Sequence, residues 1–563
     1  MNGILPNNPR VYLWVALGLL LLLNVQTWFH DYPPNAPPPA AASAPARVAP
    51  DLSSHVPQAA GTPAQATPAV AAPAPAAAAA SAAPAALAPV HVRTDVLDLD
   101  ISPLGGTIER VDLPAYPQVK GGTTPVRLEN HDSPATLYQL QTGLTGAGPG
   151  PYPTHLATLE SAHGEYSLGQ ANELRVPFTW RADGLEVTKT FIFRRGQYAI
   201  GLEYEVHNAG ASAWTAAPYA QIVRNDPRTK SSYFDVQSYA FHGPALHDGN
   251  KYRKLDPTNA EDAHLKLATQ NGWIAALQHH FVSAVVPPGG APWEFTLAVA
   301  GDQYSLSATG PATQVAAGGS ATLAATLFTG PKLQGQLEAI SPELGRVADY
   351  GRLWFLARPL YWLLAKVHAI SGNWGIAIIL VTFLLKLLFY PLSEASGRSM
   401  AKMKTLQPRI KALQETYAED REKLGRAMME LYKREKVNPV AGCLPIFIQI
   451  PVFIAFYWVL LESVEMRQAP FGFWIHDLSS RDPWFVLPAI MAVAMFVQYK
   501  LNPAPPDPVQ AKVFMIMPLA MSVMFAFFPA GLVLYWVTNT VLSIAQQWNI
   551  NRRIEAAAAA RRS

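Results

Sequence analysis

The chain of 563 residues contains a single cysteine, Cys443, which excludes an intramolecular disulfide. It has no CxxC pair and no His/Cys cluster with metal-site spacing, so we predict no bound metal. A Walker-type phosphate loop, paired intramembrane carboxylates and a convincing nucleophile–base pair are also missing. We therefore expect no catalytic residues, no cofactor and no small-molecule substrate. The protein is predicted to act by binding rather than as an enzyme.

Apolar residues, in contrast, make up 50% of the chain, and several runs approach the roughly 20 residues that cross a hydrocarbon core. This pattern indicates a membrane protein with six spans. The first lies within residues 1–30, and we interpret it as an uncleaved signal anchor because no small-residue cleavage site lies near its apolar edge. The others are expected at about residues 375–392, 442–461, 484–499, 511–528 and 531–548.

The placement of Lys and Arg orients these spans. Residues 396–436 contain eleven basic residues against six acidic ones, whereas residues 462–483 contain four acids and two Arg. Cytoplasmic loops of membrane proteins are enriched in Lys and Arg. We therefore place both termini in the cytoplasm, including a basic tail at residues 554–563. The long segment before the second span then lies outside, which in a bacterium is the periplasm.

That external segment has two parts. Residues 31–89 are rich in Pro and Ala, a composition that cannot bury enough apolar surface to fold, and they are predicted to form a flexible tether. Residues 90–341 alternate apolar and polar side chains between Gly, Pro and Asn-Asp clusters, which predicts a periplasmic all-β sandwich. Its histidines, such as His279 and His280, have no partner spacing that indicates catalysis.

Two helical features lie outside the spans. Residues 342–370 interleave aromatic and basic residues, which favours an interfacial amphipathic helix that turns at Pro359, although a linker helix packed on the sandwich is the alternative. Residues 396–438 read as a cytoplasmic helical hairpin. Its excess of basic residues fits binding to anionic lipid headgroups or ribosomal RNA. The default interpretation is a hairpin whose charges are only solvated by water.

Polar side chains recur at helical spacing inside the spans. Two stripes and one further amide are present: Thr382, Lys386 and Tyr390; Tyr535, Asn539, Ser543 and Gln546; and Gln449. Polar groups that face lipid are costly, so the stripes predict a shared hydrated groove. Snorkelling of Lys386 to the cytoplasmic surface, and interhelical hydrogen bonds that only hold the bundle together, are the simpler alternatives.

Three stretches carry a resemblance to a known family: NWGIAIILVTFLLKLLFYPLSEASGRSMAKMKTLQPRI, KREKVNPVAGCLPIFIQIPVFIAFYWVL and FPAGLVLYWVTNTVLSIAQQW. With RQAPFGFWIHDLS, they closely resemble the YidC/Oxa/Alb family of membrane insertases. The resemblance implies a five-helix insertase core over residues 371–553, whose positively charged groove is open to the cytoplasm and lipid. It implies as partners nascent inner-membrane proteins, the Sec translocon, the ribosome and membrane lipids.

The resemblance also implies roles for individual residues. Lys386 corresponds to the groove cation, and Thr382 and Trp536 match positions that touch the nascent segment. Two positions depart from the familiar Gram-negative pattern, because Lys386 replaces an Arg and Trp536 replaces the second Tyr of a Tyr-Tyr pair. A lysine can lose its proton when desolvated, which an arginine does not.

The resulting hypothesis is a multi-pass protein of the bacterial inner membrane whose groove hydrates the polar tail of an incoming protein. Lys386 would attract acidic residues of that tail. Two other functional classes remain open on the residues alone. A solute transporter predicts internal repeats with discontinuous helices, which we do not find, and an anchored periplasmic glycan-binding or glycan-modifying protein predicts that function depends on the sandwich.

Overall fold

A computed structural model describes residues 51–58, 88–146, 150–226, 240–417, 420–435, 437, 444–501 and 508–560. The predicted anchor at residues 1–30, most of the predicted tether and Cys443 lie outside the described residues. Within them, the chain consists mainly of strands as far as Pro331 and of helices beyond it.

The β-rich part forms two sheets. Eleven described strands build the first sheet: β1 Val90–Arg93, β2 Asp98–Ser102, β3 Thr107–Pro117, β4 Pro125–Arg127, β5 Tyr138–Thr145, β7 Glu165–Ser167, β11 Trp214–Asn225, β14 Lys266–Thr269, β17 Trp293–Ala300, β18 Gln303–Thr309 and β19 Thr313–Val315. Nine build the second: β6 Glu160–Ser161, β8 Glu173–Ala182, β9 Leu185–Arg194, β10 Ala199–Asn208, β12 Gly243–His247, β13 Tyr252–Lys254, β15 Trp273–Leu277, β16 Phe281–Val286 and β20 Ser320–Pro331.

The strand order identifies a sandwich rather than a single sheet. The first sheet runs β14-β17-β18-β11-β5-β3-β2-β1-β7, with β4 paired to β3 and β19 paired to β11, and the second runs β13-β12-β15-β16-β20-β10-β9-β8-β6. The described pairings are antiparallel except that of β1 with β7. One hydrophobic cluster joins residues of both sheets, so the predicted sandwich is present.

Local sequence explains the longest ladder, β8-β9-β10. Ile200, Leu202 and Tyr204 of β10 alternate with more exposed residues and lie in the core, which is the period-two pattern of a strand with one buried face. A two-residue Asp183-Gly184 turn joins β8 to β9, with φ of 50° and 77°. Positive φ at both positions is the geometry that tight hairpins require, and Asp-Gly adopts it readily.

Eleven described α-helices follow in chain order: α1 Ala260–Ala263, α2 Gln334–Ile340, α3 Trp354–Ser371, α4 Trp374–Leu388, α5 Tyr390–Thr405, α6 Gln407–Thr416, α7 Arg421–Arg434, α8 Leu444–Glu462, α9 Val486–Leu501, α10 Pro508–Phe525 and α11 Ala530–Ala560. A second hydrophobic cluster joins α3, α4, α8, α9, α10 and α11 into a bundle. The last helix is longer than the predicted span at 531–548, since it continues through residue 560.

The predicted span at residues 375–392 is not one straight helix. The chain leaves α4 after Leu388 and re-enters a helix at Tyr390, with a bend of 64° between α4 and the first part of α5. Pro391 explains the break, because it has no N–H to bond to the Leu387 carbonyl, and a proline is well tolerated in the first turn of a new helix.

The segment at residues 342–370 also differs from its prediction. We expected the chain to turn at Pro359, but α3 continues through Pro359 to Ser371. The proline lies near the helix start, where its missing N–H affects one carbonyl only. The turn falls instead at Gly372, whose φ of 66° is the left-handed conformation that often ends a helix.

Two short helices pack against each other within the predicted hairpin at residues 396–438. Leu406, Ile410, Met428 and Leu431 form a small apolar cluster between α6 and α7. An ion pair links the two helices, with 2.6 Å between Arg409 Nη1 and Glu435 Oε1. The first part of the predicted hairpin belongs to α5, which ends at Thr405.

The sandwich contacts the helical part through buried polar groups. Lys332, which follows β20, lies 3.5 Å (Nζ to Oε2) from Glu462 at the end of α8, and the two side chains are only 2% and 3% exposed. The His279 ring donates from Nε2 to the Leu461 carbonyl at 2.9 Å. From the loop after α8, Arg467 donates to the Pro117 carbonyl of β3 at 2.8 Å. These bonds fix the end of α8 to the edge of the sandwich.

Among the described residues, no single helix has both the length and the apolar composition needed to cross a bilayer. The bent pair formed by α4 and residues 390–399 meets both criteria together. Shorter apolar helical stretches lie at Gln449–Glu462, Val486–Leu501 and Met515–Phe525.

The junction yields a stability prediction. Glu462→Gln leaves the Lys332 ammonium buried without its counter-charge, so we expect the free energy of unfolding to fall by about 3 kcal/mol. The double variant Lys332→Met/Glu462→Leu should recover most of this loss, because it removes both buried charges. Thermal denaturation of the purified protein in detergent measures both effects.

Glu422→Gln is the matched control, since it breaks the exposed Glu422–Arg426 pair of α7 and should leave the melting temperature unchanged. A Glu462→Gln variant as stable as the unmodified protein would show that this ion pair does not hold the junction.

Candidate functional site

The loop at residues 464–482 holds the starts of α4 and α11. Asn373 caps α4, accepting at Oδ1 from the Ile376 N–H at 3.1 Å and donating from Nδ2 to the Phe471 carbonyl at 3.0 Å. At the start of α11, the N–H of Ala530 bonds to the Ser480 carbonyl at 2.7 Å. The loop thereby holds the capping side chain of α4 and accepts from a helix-terminal N–H of α11, so it contacts the starts of both helices.

The Lys386 side chain lies between these two helices. Its ammonium donates to Ser543 Oγ on α11 at 2.7 Å, and the Ser543 hydroxyl in turn donates to the Asn539 carbonyl at 2.7 Å. The side chain is partly buried. The ammonium therefore points across the bundle to α11, which differs from the snorkelling alternative.

A small cavity that is open to the outside lies around the ammonium. Its described lining comes from α4, the helix break, α5, α8 and α11: Thr382, Leu385, Lys386, Phe389, Leu392, Ser393, Gln449, Val452, Tyr535 and Asn539. None of these ten residues is acidic. Lys386 is therefore not paired with a carboxylate among these lining residues.

A second polar contact crosses the cavity. Gln449 of α8 donates from Nε2 to Asn539 Oδ1 of α11 at 2.5 Å. Tyr535, one turn before Asn539, is 3% exposed and packs its ring against Phe456, with 4.8 Å between the ring centroids. Polar and aromatic contacts thus join α8 to α11 on the wall that faces α4.

Thr382 and Trp536 are arranged differently. Thr382 lines the cavity one turn before Lys386, but its hydroxyl donates to the Ile378 carbonyl of its own helix at 2.6 Å. Trp536 is not among the lining residues and is half-buried. Its ring packs edge-on against Phe453, with 4.6 Å between the ring centroids. It also packs at a tilt against Phe525, with 5.2 Å between the ring centroids. Five of the six predicted groove residues therefore share one cavity, and Trp536 lies beside it.

The helix break changes which residues continue the α4 stripe. A regular helix places Tyr390 one turn after Lys386, and Tyr390 is not among the lining residues. Phe389 and Ser393 line the cavity instead, since the break at Phe389 shifts the helical phase. Pro391 was the sequence signal for this shift.

In the part of the chain that the structure describes, no group of three or more His, Cys, Asp or Glu side chains could hold a metal ion. The cavity presents hydrogen-bonding side chains and the Lys386 amine beside apolar walls.

Comparisons with known proteins identify the family. The family model described as 60Kd inner membrane protein matches residues 366–557, and the model of the YidC periplasmic domain matches residues 89–363. A membrane protein insertase YidC from Stutzerimonas stutzeri (strain A1501) is 45% identical over 557 residues, covering 98% of this chain and 99% of the relative. The chain belongs to the YidC family of membrane protein insertases.

A second sequence relative agrees with this assignment. A membrane protein insertase YidC from Methylococcus capsulatus is 48% identical over 473 residues, which is 83% of this chain and 86% of the relative. A solved structure titled as an active YidC insertase with its first transmembrane domain resolved aligns over 82% of this chain and 92% of its own, at 18% identity and a TM-score of 0.37. The sandwich corresponds to the periplasmic domain of the YidC family, and the cavity lies in the part that the inner-membrane family model covers.

The Gln449–Asn539 contact predicts a measurable coupling. Gln449→Leu and Asn539→Leu each leave an amide without its partner in an apolar bundle, whereas the double variant removes both amides. We expect a coupling free energy of about 1 kcal/mol in a double-mutant cycle, measured by thermal denaturation in detergent.

The cycle Gln449→Leu with Thr538→Val serves as control. The Thr538 hydroxyl donates to the Leu534 carbonyl of its own helix, so the two changes should add. Additive effects for Gln449 and Asn539 as well would mean that the contact contributes nothing to the bundle.

Proposed function

We propose that this chain inserts newly made proteins into the bacterial inner membrane through the cavity around Lys386. The cavity is the hydrated, positively charged groove, and Lys386, Thr382, Gln449, Tyr535 and Asn539 are its functional residues. The single observation that carries this proposal is the Lys386 ammonium, which points into an open cavity without acidic lining. Trp536 acts at the edge of the groove, beside Phe453 and Phe525.

The two faces of α4 support a membrane location for the groove. Thr382, Leu385 and Lys386 line the cavity. The outward side chains are all apolar and between 41% and 71% exposed: Ile376, Leu380, Phe383, Leu384, Leu387 and Leu388. A continuous apolar face of this kind is rarely left in water, and it fits contact with lipid hydrocarbon.

Neighbouring helices extend the apolar surface. On α9, four apolar side chains at helical spacing are exposed: Ile490, Val493, Phe496 and Val497. On α10, Val513, Ile516, Leu519 and Val523 are also exposed. We assign these faces to the bilayer, so that the incoming apolar helix slides along lipid-facing surface while its polar tail enters the groove.

The mechanism follows from solvation. A polar tail that crosses a bilayer loses its water, and charged residues make that loss expensive. A groove that hydrates the tail partway into the membrane lowers the barrier without a pore, and the ammonium attracts acidic residues of the tail. Transfer of the apolar helix into lipid supplies the driving free energy, at roughly 25 cal/mol per Å² of apolar surface.

The same proposal includes topology and partners. The protein is multi-pass, with both termini and the α6–α7 hairpin in the cytoplasm and the sandwich in the periplasm. The exposed charges of the hairpin, such as Arg426 and Lys423, would receive substrates from the ribosome or contact lipid headgroups. Insertion proceeds alone or beside the Sec translocon.

Charge substitutions at Lys386 test the electrostatic step. With a small substrate that carries an acidic tail, Lys386→Arg should insert normally, whereas Lys386→Glu should slow insertion about tenfold, which corresponds to ~1.4 kcal/mol in the barrier. The defect should shrink when the tail is made basic, since attraction then replaces repulsion. Protease accessibility of the translocated tail in reconstituted vesicles measures the rate.

Lys366→Glu is the matched control, because Lys366 is an exposed lysine of α3 outside the cavity. Equal insertion of the acidic-tailed substrate by Lys386→Glu and the unmodified protein would exclude an electrostatic role for Lys386.

A further inference from the structure

A short stretch of the predicted tether lies on the sandwich. Residues 51–57, called the strap below, contain one turn of 3-10 helix at Leu52–Ser54, and Asp51 caps it by accepting from the Ser53 N–H at 2.9 Å. Pro57 at the end of the strap is buried. The strap therefore has a defined conformation on the protein, and its sequence DLSSHVP differs from the Pro/Ala-rich residues around it.

The strap covers a polar row on the first sheet. Gln141 of β5 pairs with Gln221 of β11, and Gln221 pairs with Ser307 of β18, so the three side chains are neighbours across three strands. We call them the glutamine ladder. The adjacent residues Leu140, Ile222 and Leu306 lie in the hydrophobic core. Because side chains alternate along a strand, the ladder lies on the opposite face of the sheet, outside the sandwich core.

The ladder binds the strap through its main chain. The Ser53 carbonyl accepts from Gln141 Nε2 at 3.1 Å and from His155 Nε2 at 2.9 Å. Two residues further, the His55 carbonyl accepts from Gln221 Nε2 at 3.1 Å. The three donor side chains are buried, with Gln221 0%, His155 2% and Gln141 4% exposed.

Gln303 of β18 adds contacts at the start of the strap. Its Oε1 accepts from the Leu52 N–H at 2.6 Å, and its Nε2 donates to Asp51 Oδ1 at 3.2 Å. Of these contacts between the sheet and the strap, one involves a strap side chain and the others involve its backbone. Recognition of this kind tolerates many sequences, as in other modes of extended-peptide binding.

His155 is held in the form that this contact needs. Burial lowers the pKa of its imidazole to about 4, so the ring is neutral at physiological pH. Tyr219 OH lies 2.7 Å from Nδ1 and can donate to it, which leaves the proton on Nε2 and directs it at the Ser53 carbonyl. The contact with Tyr219, which lies within the sandwich, therefore sets which ring nitrogen of His155 is the donor.

The side chains of the ladder also bond to one another. Gln221 Nε2 donates to Gln141 Oε1 at 2.5 Å, and Ser307 Oγ donates to Gln221 Oε1 at 3.3 Å. Two residues before Ser307 on the same face, the Ser305 hydroxyl is 1% exposed and has no hydrogen-bond partner among the described residues. A buried polar atom without a partner is costly, and it offers one more bond to a bound chain.

We propose that the glutamine ladder, with His155 and Gln303, is a binding site for an extended polypeptide segment, read through its main-chain carbonyls, and that the strap occupies this site in cis. The site lies in the periplasmic domain and is separate from the Lys386 cavity. Occupation by the strap excludes other segments, because a tethered ligand acts at an effective concentration in the millimolar range.

The test uses the full-length protein in detergent and a labelled synthetic peptide of residues 51–58. A variant in which residues 51–58 are replaced by a Gly-Ser stretch of equal length leaves the site empty. Fluorescence anisotropy of the labelled peptide measures binding. We expect this variant to bind the peptide at least tenfold more tightly than the unmodified protein does. Adding Gln141→Leu and Gln221→Leu to the variant should abolish binding.

Gln314→Leu in the same background is the matched control, since Gln314 is an exposed glutamine of β19 and should leave peptide binding unchanged. A folded Gly-Ser variant that binds no peptide, or binding that survives loss of both ladder glutamines, would overturn the proposal.

Hydrogen exchange of the unmodified chain gives a second readout that does not depend on the Gly-Ser variant. The Leu52 and His55 amides, which donate to Gln303 and to the Leu52 carbonyl, should be protected. That protection should be lost in Gln141→Leu/Gln221→Leu and kept in Gln314→Leu. Unprotected strap amides in the unmodified chain would contradict a strap bound in cis.

Discussion

An ammonium group inside an apolar helix bundle needs polar partners, and this requirement organises the helical part of the molecule. Lys386 meets it by bonding to Ser543 across the gap between α4 and α11. Ser543 is itself oriented by the Asn539 carbonyl, and Asn539 accepts from Gln449 of α8. Hydrogen bonds through Ser543 and Asn539 therefore link three helices beside the cavity.

The two ends of the bundle are built differently. Around residues 464–482 the loop bonds to the starts of α4 and α11, and Tyr361 of α3 donates to Glu465 at 2.5 Å. Burial raises the pKa of the Glu465 carboxyl, and the tyrosine bond favours its ionised form. Toward the other end, α4 stops at Leu388 and the bend at Phe389 leads α5 away. Hydrogen bonds thus tie the helices together at the end near residues 464–482, whereas the helix is interrupted at the end near Phe389.

Sequence patterns predicted the features that depend on local periodicity. The alternation at Ile200, Leu202 and Tyr204 identified a strand, and helical spacing brought Thr382 and Lys386 to one face. The break at Phe389 was missed because an apolar run hides the effect of Pro391 on the backbone. The strap was missed for a different reason. Residues 51–57 contain one Pro and no Ala within the Pro/Ala-rich tether, but seven residues are too few to predict a binding partner. Their partners Gln141, Gln221 and Gln303 are distant in sequence, so only the folded sheet brings the donors together.

The attachment of Glu462 to Lys332 has a consequence for the cavity wall. Glu462 ends α8, and Gln449 lies thirteen residues earlier on the same helix, about 20 Å away at 1.5 Å per residue. The helix that carries Gln449 is therefore attached at its far end to the sandwich, through Glu462 and Lys332.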